Sequence, residues 1–201
     1  LSFGESLETR ISDWLNAILP PTAAASLVIG LLAADILLPV PSSVVSTFAG
    51  TAGVFGSANG NGSAAQFFSP AGMATDSSGN VYVADGSAHT IRKITSAGDV
   101  STFAGAAGQS GSADGIVSVA RFSSPRDIAG DSSGNLYVID SGNNTVRKIT
   151  AAGVVSTFSG AAGQVGSTNG TGSAARFNSP RGLAVDGAGN ASAVWSRQVQ
   201  P

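Results

Sequence analysis

Four arginines make the most pointed chemical pattern in the sequence. Arg121 and Arg126 bracket FSSP, and Arg176 and Arg181 bracket FNSP at an offset of 55 residues. Guanidiniums recurring at one spacing suit a face that binds phosphates, or a set of ties from one repeating unit to the carboxylates of its neighbour. Asp85 and Asp140 share the same offset, each at the end of a strand-forming run. Each acid offers one oxygen to a ligand on such a face, or caps the following turn by accepting backbone hydrogen bonds. The single histidine, His89, has Asn144 as its counterpart, which reads as a solvated turn residue. The DSSGN strings at Asp76 and Asp131 hold one acid each, whereas a calcium loop takes roughly six to eight oxygens, usually with several carboxylates; they read as Asx turns. No nucleophile with its base and no glycine loop for phosphate is present in the sequence, so no catalytic residue, metal set or cofactor is expected.

The composition narrows the partner. Ten basic residues against 12 acidic ones leave a formal charge of -2, so no global field favours nucleic acid. With no cysteine, disulfides, thiolate metal sites and cysteine nucleophiles are all excluded. A hydrophobic fraction of 42% argues for a packed core, and only 11% charged residues leaves a surface of Ser, Thr, Asn and Gly.

Two regimes share the chain. Of 27 glycines only Gly4 and Gly30 precede Gly50, which sets residues 1–43 apart from the rest. Leu7, Ile11, Trp14, Leu15 and Ile18 fall on one helical stripe that Pro20 and Pro21 end. Residues 22–40 are apolar or small apart from Asp35, a length that just crosses a bilayer, broken early by Pro39 and Pro41. An acidic residue ahead of Pro-x-Pro, in LLAADILLPVPSSVVSTFAG, resembles the first re-entrant segment of the DedA-type (VTT) membrane family over residues 22–50. That resemblance implies a membrane motif of Asp35, Pro39 and Pro41, with the acid and prolines satisfied by protein or water. A plain anchor or a buried core helix is the other reading of the same residues.

The elements that position the arginines come from a repeat. Pro70, Pro125 and Pro180 stand 55 residues apart, and VSTFAG at Val45 returns at Val100 and, as VSTFSG, at Val155. Residues 45–99 and 100–154 are identical at 33 of 55 positions. Each unit runs as a strand after the proline, the DSSGN turn, a strand VYVAD, a polar turn, a strand TIRKIT, a Gly turn and the strand VSTFAG. Four strands per unit is a propeller blade. A Gly/Ser/Ala segment then connects one blade to the next.

These residues resemble the NHL repeat family: Pro70, Gly72, Ala74 and Asp76, then GNVYVAD, then TIRKIT. The second copy matches except that Asp127 and Gly130 replace the usual glycine and aliphatic residue, and the third fails after Asn190. The resemblance covers about residues 44–190 and implies an all-β, incomplete β-propeller of two full blades plus a partial third behind a helical N-terminal segment, with 191–201 a degenerate tail. It also implies a binding platform, usually closed by six blades, which at this period needs roughly 330 residues. A longer array, or self-association that closes the ring, is therefore expected. The favoured function is a non-catalytic module for a protein or glycan ligand in a membrane-associated or bacterial envelope setting. Family relatives that are metal-dependent hydrolases or lyases, and others that bind RNA on a basic face, supply the alternatives.

Overall fold

The repeat unit becomes an antiparallel sheet because its turn residues and its β-branched runs fall in register. The computed structural model describes residues 46–195. The expectations for residues 1–43, including the span over 22–40 with Asp35, Pro39 and Pro41, lie outside the described residues. In the first unit β1 (Gly60–Asn61), β2 (Pro70–Thr75), β3 (Val81–Asp85), β4 (Thr90–Ile94) and β5 (Asp99–Gly105) form one sheet in the order β1-β5-β4-β3-β2. The second unit repeats it with β6 (Gly115–Ile116), β7 (Pro125–Gly130), β8 (Leu136–Asp140), β9 (Thr145–Ile149) and β10 (Val154–Gly160), in the order β6-β10-β9-β8-β7. A third unit contributes the hairpin of β11 (Pro180–Val185) and β12 (Ala191–Trp195). Each blade is thus the expected four strands plus a two-residue edge strand drawn from the connecting segment.

The turn chemistry sets the register. Asp76 Oδ1 accepts the backbone N–H of Ser78 and of Asn80, and its Oδ2 accepts from the Asn80 amide and the Tyr82 hydroxyl. Asp131 and Asp186 repeat the Asx turn. These donors, led by the side chain of Asn80, hold the Asp76 carboxyl below its ordinary value. Gly79 and Gly134, at φ +78° and +79°, close the turns in the left-handed region.

The sheets pack face to face through apolar side chains. One cluster joins Tyr82, Ala84, Ile91 and Ala104 of the first blade to Phe122, Ile128, Leu136, Val138 and Ile149 of the second. Another joins Ile139 and Val146 to Ala175, Phe177 and Leu183 of the third unit. Strands β2 and β7, and β7 and β11, lie side by side as the adjacent strands of successive blades. On the other face of the first blade Met73 is 66% exposed, whereas its counterpart Ile128 is 3% exposed because the first blade covers it.

Two boundaries differ from the sequence reading. The VSTFAG copy at 45–50 forms no strand in its described residues 46–50, while the same string at 100–105 is β5 and pairs with β4. A strand is defined by its partner, and among the described residues the first copy pairs with no strand, its Gly50 N–H donating instead to the Gly62 carbonyl at 3.0 Å. The loss of repeat identity after Asn190 does not end the fold there: Ala191–Trp195 pairs with β11, Ala184 opposite Ser192 and Val185 opposite Ala191. The Asx turn at Asp186 and backbone bonds set that hairpin, and neither depends on which side chains follow Asn190.

Candidate functional site

The third strand of each blade carries the strongest polar contacts. Arg92 and Arg147 are fully buried. Arg147 Nη1 donates to the carbonyl of Arg121 at 2.9 Å and to Asp140 Oδ2 at 3.0 Å, and Nη2 donates to the Ala113 carbonyl and to Asp114 Oδ1 at 2.6 Å. Arg92 copies this on Gln66, Asp85, Ala58 and Asn59, with the Asp85 contact stretched to 3.5 Å. Each guanidinium also lies 5.2 Å from a ring centroid, that of Phe67 or Phe122. The arginine therefore fastens the connecting segment onto its own blade.

Asp85 and Asp140 belong to this latch, which corrects their expected place on a ligand-facing surface. Both are fully buried, and both also accept a backbone N–H, from Phe68 at 2.7 Å and Ser123 at 2.6 Å. Burial pushes Asp140 up to about 6, against the Asn143 amide, the Ser123 N–H and Arg147, which all favour the carboxylate. Burial likewise raises Asp85 above the usual range.

The four arginines divide into two pairs. Arg121 folds back onto the carbonyls of Ser118, Val119 and Ala120, and Arg176 onto those of Ser173 and Ala175. Arg121 and Arg176 are thus committed to their own connecting segments. Arg126 and Arg181 are exposed at the second positions of β7 and β11, and among the described residues neither side chain has a hydrogen bond or ion pair. The sequence placed all four together; the structure leaves only this pair available.

His89 sits half-exposed in its turn, as read, but its ring is engaged. Its Nδ1 accepts the backbone N–H of Ser124 in the next blade at 3.0 Å, and Asn144 Oδ1 accepts that of Ser179 at 2.8 Å. The same position therefore ties blade to blade with two different acceptors. Asp127, read only as a departure from the repeat, does likewise. Its Oδ2 accepts the N–H of Leu183 on β11 at 2.8 Å, and a Cβ at Gly72 would meet Asp127 Cα at 2.6 Å, so only glycine fits beside it.

Between the first two blades, at the Asx-turn end, a groove of about 540 Å³ opens. Its floor includes Tyr82, Phe103 and Leu136, and its rim includes Ser77, Ser78 and Lys93. Tyr82 and Phe103 meet edge to face at 5.0 Å, and the Lys93 ammonium lies 5.8 Å from the Tyr82 ring centroid. Among the described residues no three His, Cys, Asp or Glu side chains gather where they could hold a metal ion. No described helix is long and apolar enough to cross a membrane.

Comparison with known proteins bears on the blades. The NHL repeat model matches residues 67–94 and 122–149, from just before β2 through β4 and from just before β7 through β9. No curated protein sequence matches the chain. Among solved structures, a structural genomics protein of unknown function from Bacteroides thetaiotaomicron is 32% identical over 52% of this chain and 27% of its own, with a TM-score of 0.50. A putative phosphatase from the same organism is 23% identical over 62% and 31% of the two chains, with a TM-score of 0.53. An auxiliary nutrient binding protein, also from that organism, is 23% identical over 55% and 31%, at a TM-score of 0.49. The aligned region spans less than a third of each of these chains. The described residues are two full β-propeller blades, each with a stretch that matches the NHL repeat, followed by the first hairpin of a third.

Proposed function

We propose that this chain is a non-catalytic binding module that presents its blades to a protein or glycan ligand at the cell envelope. The observation that carries the reading is where the recurring polar groups go. Asp85, Asp140, Arg92 and Arg147 are spent on fastening each connecting segment, Asp76 and Asp131 on their turns, and His89 on the neighbouring blade. Each of these groups is thus already partnered within the fold, which favours a structural role for it over that of an acid, base or nucleophile. Left open are surfaces: the Arg126 and Arg181 pair, the inter-blade groove, and the apolar face around Met73.

The exposed Arg126 and Arg181 sustain a second reading, an anion or RNA contact on the propeller face. One experiment separates the readings. The purified chain is applied to a glycan array and to a protein bait panel, with and without chelator and at low and high salt. Binding that survives both treatments supports the module; loss with chelator points to a metal-dependent activity. RNA binding that falls steeply with salt points to the arginine face.

A further inference from the structure

The groove between the first two blades is lined at its second-blade wall by Gly130. Gly130 has no positive φ, and a Cβ placed on it would come no closer than 3.6 Å to its nearest neighbour, Leu136 Cδ2. Neither backbone conformation nor crowding calls for glycine there. The same repeat position is Thr75 in the first unit and Val185 in the third. At the interface of the second and third units the Asx turns also close on each other, Ser132 Oγ donating to the Gly187 carbonyl at 2.5 Å. At the first interface Ser77 stands in the Ser132 position, and it lines the groove instead.

The chemistry of the walls selects the ligand. Each oxygen of Asp76 already accepts two hydrogen bonds, and Asp131 is engaged by Asn135, Ser133 and Tyr137, so a metal ion would have to displace the turn to bind. Two carboxylates against one ammonium, Lys93, disfavour an anion. What remains is a neutral molecule with an apolar face for Phe103 and for the parts of Tyr82 and Leu136 that reach the groove, and hydroxyls for Ser77, Ser78 and Lys93. A volume of about 540 Å³ is that of a small-molecule site.

We propose that the Gly130 groove is a binding site for a neutral sugar of one or two rings, held across the two blades. This deepens the binding-module reading and rests on it. The test titrates isotope-labelled full chain with maltose, methyl glucoside and glucose 6-phosphate while backbone amide shifts are followed. The expected result is saturable shifts at Ser77, Gly130 and Ser132 with a neutral sugar, little response to the phosphate, and affinity at least tenfold weaker in Gly130→Val. That variant copies the third unit and keeps or raises the melting temperature. Ser77→Val, on the rim, is a second variant with the same expectation. The groove is overturned by an absence of saturable shifts at these amides, by shifts that persist in both variants, or by a stronger response to glucose 6-phosphate. Sugar binding that maps to β7 and β11 around Arg126 and Arg181 overturns the groove while leaving the module reading standing. Failure of the glycan and protein panels as well removes both.

Discussion

The first and second blades share a backbone plan and differ in how firmly each is held. In the second, the buried arginine meets two carboxylates, Asp140 at 3.0 Å and Asp114 at 2.6 Å. In the first, it meets Asp85 at 3.5 Å and the neutral Asn59 at 2.9 Å. The interfaces differ in the opposite sense. Beyond the Gly130 groove the first packs Leu136 and Val138 against its neighbour, whereas the second has Ala191 and Ala193 at those positions and a cavity of about 440 Å³ beside Val146 and Phe177. A repeat therefore stays the same fold while its stabilising contacts migrate from one contact to another.

The largest expected effect comes from the latch. Arg147→Ala removes one partner of a buried ion pair and strands both Asp140 and the carbonyls of Ala113 and Arg121, so it should lower stability by about 3–5 kcal/mol. Arg92→Ala should lose measurably less, because its longer contact and neutral partner leave less charge uncompensated. Urea titration of the two variants makes the comparison; equal losses would break the contrast between the blades.

Next in size is a pH dependence that the second latch should dominate. The Asp140 carboxyl, raised to about 6 by burial, holds its proton more tightly folded than unfolded. Its contribution is therefore present in full below the unfolded value near 3.8 and is lost as pH rises through about 6, at most about 3 kcal/mol in all. Asp114 keeps Arg147 partnered when Asp140 is protonated. Urea midpoints between pH 4 and 7 should fall more steeply for the native chain than for Asp140→Asn, and parallel profiles would remove the argument.

Much of this was legible in the sequence, and the rest was hidden for physical reasons. The 55-residue offset between the prolines specified the blades, since turn residues recur only where the backbone needs them. The edge strands at Gly60–Asn61 and Gly115–Ile116 were invisible because two Gly-rich residues carry no periodicity. Asp85 and Asp140 looked like surface ligands because the sequence shows an acid at a strand end, not the Arg92 or Arg147 side chain that the adjacent strand brings against it. The available signal was that Arg92 and Arg147 recur at one position of a strand, two residues before and so on the same face as Ile94 and Ile149, where an unpaired charge is not tolerated. Asp127 and Gly130 were visible only as breaks in register, and those breaks mark the two places where one blade treats its neighbour differently.

The cavity beside the third unit gives a stabilising prediction. Ala191→Leu with Ala193→Val restores the residues of the second blade and should fill the space lined by Val146 and Phe177, raising stability by about 1–2 kcal/mol. Thermal melting checks it. An unchanged midpoint would mean that the two alanines are not what leaves the space beside Val146 and Phe177.

The smallest effect discriminates most sharply between a structural and an idle histidine. Ser124 and Ser179 both sit at φ +48° immediately before a proline, a conformation disfavoured for serine, and each has its N–H held by the previous blade. His89 supplies the acceptor in one case and Asn144 in the other. His89→Ala leaves the Ser124 N–H to solvent and releases its strained backbone, an expected loss of about 1 kcal/mol. His89→Asn copies the second interface and should recover most of that loss. Faster amide exchange at Ser124 in the alanine variant alone is the local signature. If asparagine fails where alanine fails, the histidine ring acts through its packing, and the two acceptors are not equivalent ties after all.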